Sequence, residues 1–263
     1  MELKIVVCIK QVPDPEGPPS AFAIDFESKK VIPSGIPPVI NPADENALEA
    51  ALQLKESTGC RVIALSLGSK LSKPILSKAL GVGADDLVLL DDENFKELDG
   101  YSTAFVLSKA IEKIGGCNVV MVGRLAGDWG FGQTGVLLAE IMQIPVINLA
   151  QKVKAEKGYI IAEQLQRGGY SVVKSPLPVV ISVSSEVGNL RNASLKDIAA
   201  ARKKPVTLWR QADLGVDSQA LTRRKVHSIL RPSWERGCAI VTGQSPAEKA
   251  RSLTARLKED GVI

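Results

Sequence analysis

The stretch with the most chemical potential is Gly123-Arg124-Leu125-Ala126-Gly127-Asp128-Trp129-Gly130-Phe131-Gly132-Gln133-Thr134-Gly135. A β-branched run precedes it and a helical pattern follows. Glycines there leave backbone N–H groups uncovered at a helix N-terminus, which attracts anions. The glycines of this turn, Gly123, Gly130 and Gly132 among them, are therefore candidate anion contacts. The same glycines would equally serve a connection built only for close packing. Gly127 to Thr134 spells G-x-x-x-x-G-Q-T, a phosphate loop with Gln133 in place of lysine. Without the cation that reaches β- and γ-phosphates, an NTPase is rejected and a phosphate or pyrophosphate cradle remains. Gly130, Gly132 and Gly135 also satisfy G-x-G-x-x-G. That fingerprint belongs after the first strand of a dinucleotide fold, with an acid ~20 residues on, so this match is read as accidental. Trp129 and Phe131 would shield a ring, face a partner or pack into the core.

Two other turns follow apolar runs. In Ile40-Asn41-Pro42-Ala43-Asp44-Glu45, Asn41 suits a helix cap and Pro42 the first helical position, and the acids favour the positive end of the dipole. Taken alone, this is a well-made helix start. Ser66-Leu67-Gly68 would let a ligand approach the backbone. Cys8 closes the first apolar run and reads as a small strand residue; no base accompanies it.

The elements that must position these turns alternate. Strands are expected at Lys4–Ile9, Arg61–Ser66, Leu87–Leu90, Asn118–Val122 and Pro178–Val183. Helices are expected at Ala43–Glu56, Ser72–Leu80, Ser102–Ile114 and Gln133–Met142. This implies an α/β fold: a doubly wound, mainly parallel sheet, whose ligands sit beyond the carboxyl ends of the strands. Val153–Lys157, Tyr159–Gln166 and Tyr170–Val173 read as antiparallel hairpins. Ser194–Arg202 reads as a short helix, 205–244 shows little period, and Ser245-Pro246 opens a last helix over Ala247–Lys258. Residues 1–190 are expected to form one nucleotide-binding domain, and 191–263 a docking loop and extended arm around a partner.

The chain has 263 residues, 45% hydrophobic and 24% charged, with a net charge of +4. That balance fits an ordinary globular protein and demands no nucleic-acid partner. Aromatics at 4% argue against a base-stacking surface. Cys8, Cys60, Cys117 and Cys238 form no C-x-x-C pair, and His227 is the lone histidine, so neither a metal site nor a Cys/His or Ser/His catalytic centre is expected. No apolar run approaches the ~20 residues of a membrane span, and the N-terminus reads as a strand rather than a signal peptide; a cytoplasmic protein without membrane insertion is expected. Arg202-Lys203-Lys204 and Arg223-Arg224-Lys225 read as solvated charge.

Taken together, the turns resemble the electron transfer flavoprotein β-subunit family. The resemblance rests on Val6-Val7-Cys8-Ile9-Lys10-Gln11-Val12-Pro13-Asp14, Ile40-Asn41-Pro42, Asn46–Lys55 and Ala79-Leu80-Gly81-Val82-Gly83-Ala84-Asp85. It continues through Gly123–Gly135, Gly168-Gly169, Leu177-Pro178-Val179-Val180, Leu195 to Pro205 and Asp213-Leu214-Gly215-Val216, in order over about 3–217. It implies a heterodimer whose α-subunit carries FAD and whose β-subunit binds AMP, or a second FAD in bifurcating, NADH-linked members. It places nucleotide contacts on Cys8, Asn41, Asp44, Leu67, Asp128 and Gly130–Thr134. Asn41 and Asp44 would meet polar edges, while Gly132, Gln133 and Thr134 would meet phosphate. It puts a dehydrogenase-docking loop on Gly188–Ala201, with Leu195 as anchor and Ile198 beside it. Gly130 stands where an acid is usual, Gly132 where AMP-type members have asparagine, and Leu165 where an acid is linked with domain positioning. Gly188-Asn189-Leu190-Arg191 replaces the usual Asn-x-Pro-Arg.

The expected role is thus a non-catalytic electron-carrier subunit, serving flavin dehydrogenases such as acyl-CoA dehydrogenases, with chemistry supplied by bound cofactors. The Gln11–Glu16 loop would form one wall of the α-subunit's flavin site. The rivals are a regulatory adenine-nucleotide-binding module and an NAD-dependent dehydrogenase using Gly130–Gly135.

Overall fold

The computed structural model describes residues 3–217, 221, 224, 226–231 and 237–263. The chain divides into two units, 1–227 and 228–263. The first is built on strand β1 (Lys4–Cys8). After it come the short strands β2 (Gln11–Pro13), β3 (Phe22–Asp25), β4 (Lys30–Pro33) and β5 (Pro38–Ile40), which pair as two small antiparallel ribbons, β2 with β5 and β3 with β4. Helix α1 (Pro42–Thr58) leads to β6 (Arg61–Gly68). Short helices α2 (Lys73–Leu76) and α3 (Lys78–Val82) lead to β7 (Asp86–Asp91), and α4 (Gly100–Lys113) to β8 (Val119–Gly123). Helix α5 (Thr134–Met142) precedes β9 (Val146–Glu156), β10 (Tyr159–Gln166), β11 (Gly169–Pro176) and β12 (Val179–Val183). Helix α6 (Leu195–Ala201) and β13 (Val206–Trp209) complete it. The second unit contains α7 (Pro246–Glu259), whose Ser245 cap accepts from the Glu248 amide at 3.2 Å, as its sequence requires.

The nine-stranded sheet runs β11-β10-β9-β12-β8-β1-β6-β7-β13. It is parallel from β9 to β13 and antiparallel at the β9-β10-β11 end. The doubly wound sheet with an appended hairpin region, expected from the alternation of patterns, is the observed architecture. Residues 206–209, read from sequence as irregular, form the far edge strand by pairing with Leu87–Leu90. The expected helix over 72–80 is two short helices divided at Ser77.

Both sheet faces are covered, which explains the unbroken apolar run of β1. Ile5, Val7 and Ile9 pack with Ala47, Leu48 and Ala51 of α1, while Val6 and Cys8 pack with residues of α4 and α5. The chain winds from β1 outward through β6 and β7, then returns to place β8 on the other side of β1. Hence the switch point lies between the carboxyl ends of β1 and β8, where ligands of such sheets bind.

Two ionic clamps fasten α6 and its leading loop. Arg191 meets the buried carboxylate of Glu49 on α1 through Nε at 3.0 Å and Nη2 at 2.7 Å, and it also pairs with Glu56. Burial alone would raise the Glu49 carboxyl, but the Arg191 hydrogen bonds more than offset it and hold it below its ordinary value. Lys204 donates to the carbonyls of Leu80 at 2.9 Å and Ala84 at 2.6 Å. It therefore caps the end of α3 rather than extending into solvent as expected, and burial lowers its pKa. Arg224 lies 5.1 Å from the ring centroid of Phe131, whereas Arg223 and Lys225 lie outside the described residues.

Replacing Arg191 by Ala should lower stability by roughly 2–3 kcal/mol, because it strands a buried carboxylate. Urea denaturation checks this. Because Glu49 is depressed in the folded state, the clamp's contribution is present above the ordinary carboxylate range and should vanish as pH falls through the lowered value.

Candidate functional site at the switch point

The crevice is organised by α1. Its N-terminal turn lies against the end of β8 because Gly123 has no side chain. A Cβ at Gly123 would sit 2.6 Å from the Ala43 carbonyl carbon and would collide with the Asp44 carboxylate. The Asp44 side chain, buried at 7% exposure, spans the two strand ends. Oδ2 accepts from the Lys10 amide at 2.8 Å and Oδ1 from the Gly123 amide at 3.1 Å. Burial raises its pKa to about 7, against the opposing pull of these amides and of Asn41. Asn41, 1% exposed, holds the glycine-rich turn in the same way. Its Nδ2 donates to the Leu125 carbonyl at 2.8 Å, and its Oδ1 accepts from the Gly127 amide at 3.0 Å. Both residues, expected to meet polar edges of a nucleotide, spend these bonds on the chain's own backbone and so position the turn.

The far end of the turn belongs to α5. Gly135 lets this helix approach β8 closely, since a Cβ there would lie 2.7 Å from Val122 Cγ2. Gly130 and Gly132 instead have φ of 68° and 60°, the left-handed region that glycine reaches without strain. The space around a Cβ at Gly130 is open within 4 Å. The preceding residue, Gln133, makes no side-chain cap to α5, and a Cβ at Gly100 would lie 3.5 Å from its Oε1. The first amides of α5, beginning at Thr134, lack partners within the helix, as at any helix start. An open cradle with donor amides at its rim suits a phosphate better than a neutral group.

Cys8 and Leu67 stand at neighbouring strand ends, on the face covered by α4 and α5. Burial and the nearby Asp44 raise the Cys8 thiol, which removes it as a nucleophile at neutral pH. Trp129 and Phe131 are 54% and 55% exposed, with ring centroids 5.9 Å apart and planes 19° apart. Core packing is thereby excluded for them. Leu195 and Ile198 stand apart on α6, where Ile198 leans toward Gly81 and Leu195 is 87% exposed. A capping box of Ser194 and Asp197 fixes the start of that helix. The sequence reading missed Lys10, whose Nζ reaches Asp128 Oδ2 at 2.5 Å. Its position beside Cys8 at the end of the first strand was the available signal.

An electron transfer flavoprotein domain model matches residues 29–214. The chain belongs to the electron transfer flavoprotein β-subunit family. It is 36% identical to the electron transfer flavoprotein subunit beta of Thermoanaerobacterium thermosaccharolyticum, over 99% of this chain and 100% of that protein. It is 32% identical to the caffeyl-CoA reductase-Etf complex subunit CarD of Acetobacterium woodii, with the same coverage. Protein FixA of Sinorhizobium fredii is 32% identical, over 82% of this chain and 76% of that protein. Membership favours an electron-carrier subunit over the regulatory and dehydrogenase rivals. Among the described residues no helix is long and apolar enough to cross a membrane.

Gly123→Ala should destabilise the first unit by about 3 kcal/mol or more, since neither α1 nor β8 can retreat without breaking the Asp44 bridge. Thermal melting checks this. Because the folded pKa of Asp44 is raised to about 7, its contribution is fully present below the ordinary aspartate range and is lost as pH rises through about 7. Denaturation midpoints of wild type should therefore fall relative to Asp44→Asn between pH 5 and pH 8; parallel curves would contradict the assignment.

Proposed function

We propose that the switch-point crevice holds the adenylate of AMP or of a second FAD, and that this chain is the rigid base of a cytoplasmic heterodimer whose α-subunit carries the shuttling FAD. The carrying observation is the open glycine turn leading to the uncapped start of α5, fixed in place by Asn41 and Asp44. In this reading the amides and hydroxyl at Thr134 and the amides of Gly132 and Gln133 bond phosphate. Asp128 accepts from hydroxyl groups, while Cys8 and Leu67 border the base. The flavin, when bound, supplies reversible one- and two-electron chemistry that no side chain here provides. This chain orients, shields and docks.

Docking falls to Leu195, an exposed apolar side chain on a capped helix backed by Ile198 and the Arg191 clamp. A single anchor with a polar surround suits a contact that must form and release each turnover. The partner is a flavin dehydrogenase of the acyl-CoA type. Within residues 191–263, the stretch that follows the docking loop serves as an arm on the α-subunit, and Gln11–Glu16 as part of the flavin wall. Full-length similarity to a subunit of a caffeyl-CoA reductase complex, together with glycines at 130 and 132, supports the second-FAD alternative, and with it bifurcation.

Co-expression with the α-subunit should yield a yellow heterodimer containing adenylate. One flavin plus AMP per heterodimer removes bifurcation, two flavins support it, and a complex without adenine overturns the reading. Thr134→Ala should lower nucleotide occupancy. Leu195→Ala should slow electron exchange with the dehydrogenase roughly tenfold at unchanged flavin content; loss of flavin would make the loop structural instead.

A further inference from the structure

We propose that Lys10 is the cation that reads the ligand's phosphate, and that Asp128 holds it ready until the phosphate arrives. The inference rests on the nucleotide reading of the crevice and adds a residue to it. The glycine turn has Gln133 where a phosphate loop carries lysine, so the turn lacks that cation in its own sequence. The fold supplies one from 118 positions away: the Lys10 ammonium lies 2.5 Å from Asp128 Oδ2, inside the turn.

The stem of Lys10 starts from a fixed point. Its amide donates to Asp44 at 2.8 Å, its carbonyl accepts from the Asn41 amide at 2.8 Å, and the preceding Ile9 amide bonds Leu65 at 2.8 Å. Only the flexible four-carbon side chain is free to move, and it carries a compact charge. Asp128 is held more firmly, because its other oxygen accepts from the Trp129 amide at 3.0 Å. The side chains of the pair are 41% and 24% exposed, and such an ion pair contributes little net stability. A phosphate dianion carries more charge than a carboxylate and also meets the α5 amides, so it displaces Asp128 as the partner of the ammonium. Asp128 is then released toward hydroxyl donors.

Calorimetric titration of the nucleotide-stripped heterodimer with AMP and with adenosine separates the phosphate contribution from the rest. Wild type should prefer AMP. Lys10→Gln should reduce that preference about tenfold, and Lys10→Arg should retain most of it. Asp128→Asn should raise the preference severalfold, because the ammonium is no longer held by a carboxylate; weaker bonding to the ribose hydroxyls would affect both ligands alike. The double variant should match Lys10→Gln. The Lys10 variants should fold, since the bridge to Asp44 uses only backbone atoms of residue 10, and circular dichroism melting verifies this. If wild type binds neither of these ligands nor FAD in a parallel titration, the nucleotide reading fails and the inference falls with it; if it binds FAD alone, Lys10→Gln should weaken FAD about tenfold, and unchanged FAD affinity overturns the inference. If AMP and adenosine both bind and Lys10→Gln keeps the wild-type preference, or Asp128→Asn lowers it, the inference alone is overturned.

Discussion

A single carboxylate ties the architecture to the crevice at the switch point. Asp44 sits where two parallel strands, β1 and β8, diverge in chain direction, and each leaves a backbone amide facing the gap. Buried amides must find acceptors, and no neighbouring strand supplies them there. Asp44 serves both at once. Burial works against the charged form, and the two amides work for it. This opposition places its titration near neutrality rather than in the ordinary carboxylate range. Without that bridge the two strand ends, the start of α1 and the glycine turn would have no common reference point.

The glycine turn divides its labour. Gly123 and Gly135 are packing residues on opposite faces, one admitting α1 and the other α5 against the same strand. Gly130 and Gly132 are conformational, taking the left-handed backbone that shapes the open turn. The two explanations available from sequence fall on different glycines: Gly123 and Gly135 serve close packing, while Gly130 and Gly132 shape the open turn on which the proposed anion cradle rests. A pattern match such as G-x-G-x-x-G cannot separate these uses, because it records spacing and not direction.

Much of the fold was legible. Strands covered on both faces announce themselves as continuous apolar runs, and helix caps such as Ser194 and Ser245 lie where the chemistry of capping puts them. The turns that could bear function were legible too, since glycine, asparagine and aspartate cluster after strands. What stayed hidden depends on long-range partners. Lys204 looked like surface charge because nothing local shows that the carbonyls of Leu80 and Ala84, at the end of a distant helix and just beyond it, need a cation. Arg191 with Glu49, and Lys10 with Asp128, are likewise joined only by the winding of the sheet. Strand β13 escaped notice because an edge strand has one neighbour, and its alternation is correspondingly weak. Asn41 and Asp44 were found as candidate site residues; that their side chains also bond backbone on distant elements could not be read from their identity.

Helix α1 carries both ends of the proposed machinery. Its first turn sets the crevice, and its side presents Asn46 to the Gly188 carbonyl at 2.7 Å and Glu49 and Glu56 to Arg191. The spacing between the proposed nucleotide site and the proposed docking knob is therefore fixed as the chain folds and not adjusted at each encounter. A chimera that exchanged residues 188–201 between relatives would inherit a foreign foothold unless positions 46, 49 and 56 travelled with it.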